Sequence, residues 1–226
     1  MIRRIFERIA AVFGRARGAQ APPDPEKPPE GRSVDFHEDD YCQIEILPLA
    51  ALEFCRREIE KIDAFSKEHF DGVGWTAMYM RKEQPHPFSE LALPREEMIR
   101  LASSFAPAFD NVTTGYSTVF EPAPGVSAFG NSNRVVLYFE CTKDGTVGAV
   151  WLQLNTYCQE DPGDALRLFS VLAKNAPLIL VDWGWSFAVP LGDVESLSRY
   201  LEERFAAFRK APDAAVEFTG DADTPQ

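Results

Sequence analysis

Residues Arg134 to Tyr157 read RVVLYFECTKDGTVGAVWLQLNTY, two apolar runs on either side of an Asp-Gly pair. Asp144-Gly145 is a tight-hairpin signal of type I′, because glycine accepts the positive φ that such a turn demands. A turn centred there sets Phe139 opposite Val150, Leu137 opposite Leu152 and Val135 opposite Leu154. That face is wholly apolar, so register and burial agree. The same register separates Cys141 from the residue opposite Cys158 by about 33 Å of strand, which excludes a disulfide between them.

The other face pairs Tyr138 with Trp151, Val136 with Gln153, Glu140 with Ala149 and Arg134 with Asn155. An aromatic pair framed by polar groups has the composition of a contact surface. It also fits a packing pair beneath another element. The surface reading makes Tyr138, Trp151, Arg134 and Gln153 partner-binding candidates. Trp183 joins them as the exposed tip of a turn in LILVDWGWSFAV (178–189), with Gly184 in a left-handed position and Trp185 in the core.

Around this hairpin the periodicities alternate. CQIEILP (42–48) has the period of a half-buried strand, and Leu52, Cys55, Ile59 and Ile62 have helical spacing. WTAMYMR (75–81) reads as a strand. Pro94, Glu96 and Glu97 open a helix, and NVTTGYSTVF (111–120) reads as one strand. Asp161 and Pro162 start a further helix, and Asp193 starts the last, with Val194, Leu197, Leu201, Phe205 and Phe208 inward. The expected fold is α+β: a mostly antiparallel sheet of about five to six strands with about four helices, spanning 41–210. A disordered tail is expected over 211–226.

A separate amphipathic helix is expected over residues 1–17. Ile2, Ile5, Phe6, Ile9, Val12 and Phe13 fall within about 120° of arc, and Arg3, Arg4 and Arg8 lie outside it. Ile2, Arg3, Arg4, Ile5, Phe6, Arg8, Ile9 and Phe13 are therefore membrane-binding candidates. The same pattern serves docking on a partner or on the acidic body of the chain, or a frayed terminus. Residues 18–40 form an expected linker, rich in proline (Pro22, Pro23, Pro25, Pro28, Pro29) and then in acid.

Net charge is −12, but the first twenty residues hold five arginines against Glu7, so residues 21–226 carry −16. That balance disfavours nucleic acid and suits a partner with a basic surface. Four cysteines without C-x-x-C spacing fit a reducing cytosol, hence a cytoplasmic protein held peripherally at a membrane. The acidic stretch DFHEDDYC (35–42) lacks the glycine and spacing of a calcium loop, and no metal or cofactor is expected. No nucleophile-elbow, dinucleotide or phosphate-loop motif occurs. The function expected is a non-catalytic protein-binding module of the inhibitor or immunity type for a basic partner, tethered by its first helix. The alternatives are an enzyme with a cleft of dispersed residues, His37 among them, and a membrane-peripheral adaptor.

Overall fold

The computed structural model describes residues 31–81, 85–116, 119–132, 134–155 and 162–209. The expected helix 1–17, linker residues 18–30 and the tail 211–226 lie outside them. The central hairpin pairs β6 (Val135–Cys141) with β7 (Val147–Leu154) in the register its apolar face requires, Leu137 opposite Leu152 and Tyr138 opposite Trp151. Its turn differs from the expected one. A type I′ turn needs positive φ at both central residues, and here Gly145 (φ 83°) has it while Asp144 does not. Gly145 N–H donates to the Thr142 carbonyl at 3.2 Å, and Thr142 N–H to that of Thr146 at 2.8 Å. The loop is therefore three residues, Lys143 to Gly145. Cys141 then pairs with Val147 and Glu140 with Ala149, so Gly148 is the extra residue of a bulge that restores the register.

Around the hairpin runs a six-stranded antiparallel sheet of order β5-β6-β7-β2-β8-β9, with β2 Ile44–Pro48, β5 Val126–Phe129, β8 Leu178–Asp182 and β9 Phe187–Pro190. One face carries Ile44, Ile46, Leu137, Phe139, Leu152 and Leu180. Three helices cover it: α2 (Arg95–Phe105), α3 (Gly163–Ala173) and α4 (Val194–Arg209), through Met98, Phe105, Leu168, Phe169, Leu201 and Phe205. The opposite face is divided. Helix α1 (Leu52–Glu68) lays Cys55 and Ile59 on Leu47, Ile179 and Val181. Beside it a three-stranded sheet, β1 (Ser33–His37), β3 (Asn111–Tyr116) and β4 (Val119–Pro122), lays Val34 and Phe36 on Val136, Tyr138 and Trp151. The central strands β2 and β8 are consequently buried along their whole length. The fold is α+β, with four helices and two sheets among the described residues.

Three expectations need correction. The folded unit begins before Tyr41: Ser33–His37, expected as linker, is β1, parallel to β3, with Val34 and Phe36 buried and Ser33 and Asp35 outside. Two apolar residues in an acidic stretch are too few to stand out as a strand. Asn111–Phe120 is two strands, β3 and β4, antiparallel to each other. At Gly115 a side chain would collide with the Val119 carbonyl, so the close approach of β4 demands glycine there. Finally, Trp75–Arg81 is no strand, and it proves to be the most informative segment of the molecule.

Candidate functional site

The aromatic face expected to meet a partner is already occupied. Tyr138 and Trp151 stack with ring centroids 5.4 Å apart and planes 9° apart, and both are fully buried. Phe36 of β1 meets their edges at 5.2 and 5.5 Å, and Tyr41 lies 4.8 Å from Trp151. The Tyr138 hydroxyl donates to Gln153 Oε1 at 2.7 Å and also lies 3.2 Å from the Asp35 carbonyl. Gln153 is thus a partner of the buried tyrosine. Arg134 remains exposed beside this layer, its carbonyl accepting from Asn155 N–H at 2.7 Å. The packing alternative holds for this pair, because β1 covers it.

The two tryptophans of the Asp182–Phe187 turn exchange their expected places. Trp183 is buried and Trp185 half-exposed. The expected turn sets Ile179 opposite Phe187; the strands instead pair Asp182 with Phe187 and Ile179 with Pro190, an odd shift of register that exchanges the faces. Ile179, Val181 and Trp183 then continue one alternation onto the α1 side. The left-handed residue is Ser186 (φ 52°), not Gly184. Asp182 closes the turn by accepting from Gly184 N–H and Trp185 N–H at 3.1 Å each, and from Tyr200 Oη at 2.6 Å and the Arg204 guanidinium on α4.

The surface that sequence reasoning missed follows α1. The His69 ring stacks on Phe65 at 3.9 Å, and the chain then doubles back through an isolated antiparallel bridge between Phe70 and Trp75. Asp71 fixes the tip: its Oδ1 accepts from Val73 N–H and Gly74 N–H at 2.9 Å each, and these two bonds hold its carboxyl below the usual range. Thr76 N–H and Oγ1 both donate to the His69 carbonyl, at 2.8 and 3.0 Å. The result is a braced loop, not a loose one. On it Val73 is 96%, Met78 80% and Trp75 69% exposed, with Phe70 and Met80 also outside. Soluble surfaces carry single apolar residues routinely; five on one loop exceed that ordinary scatter.

Two half-buried residues fasten the outgoing limb. Tyr79 donates its hydroxyl to Glu58 Oε1 at 2.8 Å and sets its ring edge on Phe65 at 5.4 Å. Arg81 donates to Glu45 Oε2 at 3.3 Å and lays its guanidinium over Trp183 at 4.0 Å. Glu45 also accepts from Trp183 Nε1 at 2.8 Å, and Glu58 from Lys61 Nζ at 2.9 Å. Burial pushes the Glu58 carboxyl up, but the bonds from Lys61 and Tyr79 outweigh it and hold it below its usual value. A groove of about 520 Å³ runs along this limb, lined by Phe65, Ser66, Trp75, Thr76, Ala77, Met78 and Tyr79. The period-two alternation here is visible in the sequence. Which pair faces inward is not, because the partners of Tyr79 and Arg81 are carboxylates in distant segments.

Two histidines and two cysteines lie outside this loop. His37 accepts from Asp39 N–H at 3.2 Å and caps a short turn, and His86 Nδ1 meets Glu90 at 2.9 Å. Burial, then the charge of Glu45, pushes the Cys55 thiol up to about 12, and burial raises Cys42 as well. Both thiols are held protonated, the unreactive form. Among the described residues no group of three or more His, Cys, Asp or Glu side chains is placed to hold a metal ion, and no helix is long and apolar enough to cross a membrane. Comparison of the chain with protein-family models, curated proteins and solved structures finds no match.

Proposed function

We propose that the chain is a protein-binding module whose contact surface is the loop Phe70–Arg81. The observation that carries this reading is the outward run of Phe70, Val73, Trp75, Met78 and Met80 on a loop whose backbone and inner side chains are fastened. A braced loop loses little conformational freedom on binding, so its apolar area is available for affinity. Tryptophan supplies a large rigid anchor, and the unbranched methionines adapt to whatever shape they meet. The net charge of −12 favours a partner with a basic surface through long-range attraction, in keeping with an inhibitor or immunity-type role. It opposes both self-association and an anionic bilayer as the occupant of this surface. In this reading the basic apolar segment 1–17 serves as a tether to an anionic surface, on its sequence pattern alone. Phe6→Asp with Ile9→Asp should then abolish binding of the full chain to anionic vesicles.

The test of the contact surface is site-directed photo-crosslinking in the native cell. A photoreactive residue at Val73 should yield a discrete protein adduct, and one at exposed Arg199 on the outer side of α4 should not. Trp75→Ser with Met78→Ser should remove the Val73 adduct. Equal adducts from both positions, or none from Val73, would remove this loop as the contact surface.

A further inference from the structure

We infer that Glu45 and Glu58 are positioning residues: they hold Tyr79 and Arg81 inward and so force Met78 and Met80 to face solvent. A carboxylate buried on a central strand is expensive unless it is compensated. Glu45 stands on β2 among residues that are all buried, its Cα paired with those of Trp151 and Val181. Its cationic partner among the described residues is Arg81, reaching in from the loop. Glu58 is likewise buried on α1, and it too draws one of its donors, the Tyr79 hydroxyl, from the loop.

The alternation of the limb converts these attachments into display. Side chains of residues 78–81 are exposed, half-buried, exposed and half-buried in turn. Whichever pair occupies the inner positions sends the other pair out. Left to hydrophobicity alone, the methionines would be inside, against the flank of α1 where Phe65 and Ile62 are half-buried. The two carboxylates reverse that preference by offering charge-assisted hydrogen bonds that Tyr79 and Arg81 can use and methionine cannot. The buried acids thus act through the loop rather than touching a partner themselves. The inference rests on the loop as contact surface for its purpose, but its test reads the loop directly and needs no partner.

Methionine oxidation by dilute hydrogen peroxide, resolved by peptide mass on the full chain, reports the display. Met98, fully buried in α2, serves as the internal control for unfolding. In the native chain Met78 and Met80 should oxidise at least ten times faster than Met98. Two double variants remove the inward attachments, leave no buried charge behind and put at positions 79 and 81 a side chain less apolar than methionine: Glu58→Leu with Tyr79→Ser, and Glu45→Gln with Arg81→Ser. Glu45→Gln keeps an acceptor for Trp183 Nε1. Each should slow oxidation of the methionines at least threefold while the melting temperature stays within a few degrees. Arg81→Lys, which keeps the cation, should oxidise like the native chain. Unchanged rates at Met78 and Met80, with or without a lower melting temperature, would reduce the carboxylates to a structural brace and overturn the inference. Should Met98 become reactive in a double variant, Tyr79→Ser alone is read by the same criterion. Failure here leaves the crosslinking result at Val73 untouched, and failure there leaves this one standing.

Discussion

Glu45 and Trp183, 138 residues apart in the chain, meet in a single buried hydrogen bond of 2.8 Å from the indole N–H to the carboxylate. The contact joins the start of β2 to the β8–β9 turn, and Arg81 lies over the same indole. Trp183→Ala should therefore cost about 3–5 kcal/mol in urea unfolding, as large-to-small core changes do. Trp183→Phe keeps most of the bulk but leaves Glu45 without that donor, and about 1–3 kcal/mol is expected. An alanine variant within a few tenths of the native stability would mean that the indole is not in the core.

Tyr138 and Trp151 should behave as interior residues. Replacing either by alanine should cost about 3–5 kcal/mol, with β1 losing the surface it packs against. Fluorescence of single-tryptophan variants separates the sites: iodide should quench Trp75 readily and leave Trp151 and Trp183 protected. Ready quenching of Trp151 would mean that β1 does not cover the hairpin.

At Gly145 the space is open but the backbone has φ 83°, so strain rather than collision decides substitutions there. Gly145→Val should destabilise by about 1–3 kcal/mol, whereas Gly145→Asn should cost less, since asparagine tolerates left-handed backbone. Equal costs for the two would point to packing instead of φ.

Acid should release Glu58. Its folded pKa lies below its ordinary value of 4.5, so its bonds stabilise the fold above that value. This stabilisation is lost as the pH falls through the folded pKa. Lys61→Met removes one of the bonds that depress the pKa, so the variant should be less stable than the native chain at pH 7. The difference should shrink as the pH falls below the ordinary value of 4.5 and through the folded pKa. A gap in urea midpoint that widens on acidification would contradict the assignment.

The cysteines should report burial chemically. With its pKa pushed up to about 12, Cys55 stays protonated and enclosed, and Cys42 is raised in the same direction. At pH 8 a disulfide reagent should leave both unmodified in the native chain and modify them in urea, while half-buried Cys141 reacts sooner. Rapid native modification of Cys55 would contradict the packing of α1 on the sheet.

Much of the fold was legible because local chemistry specifies it. The face pairing Leu137 with Leu152 sets the register of the β6–β7 hairpin whatever lies above it, and a bulge at Gly148 absorbs the error in turn length. Asp193 caps α4 through Ser196 N–H at 3.1 Å, a bond between near neighbours. Ile179, Val181 and Trp183 share one face by simple alternation, so the buried place of Trp183 was within reach once the strand was continued through Asp182.

The candidate site was hidden for a different reason. Periodicity states which residues share a face, but not what covers that face. Tyr138 and Trp151 looked like a surface because β1, the strand that buries them, comes from an acidic stretch a hundred residues upstream. Met78 and Met80 passed for part of an ordinary strand, because the carboxylates that take Tyr79 and Arg81 inward stand on β2 and α1. The sequence by itself determined the helices, the central hairpin and its register, and the charge of the body, all of which depend on near neighbours and on composition. Only the tertiary structure decided which aromatic face is inside and which apolar loop is outside. Those outcomes turn on pairings between distant segments, whose stabilisation exists only when the segments meet.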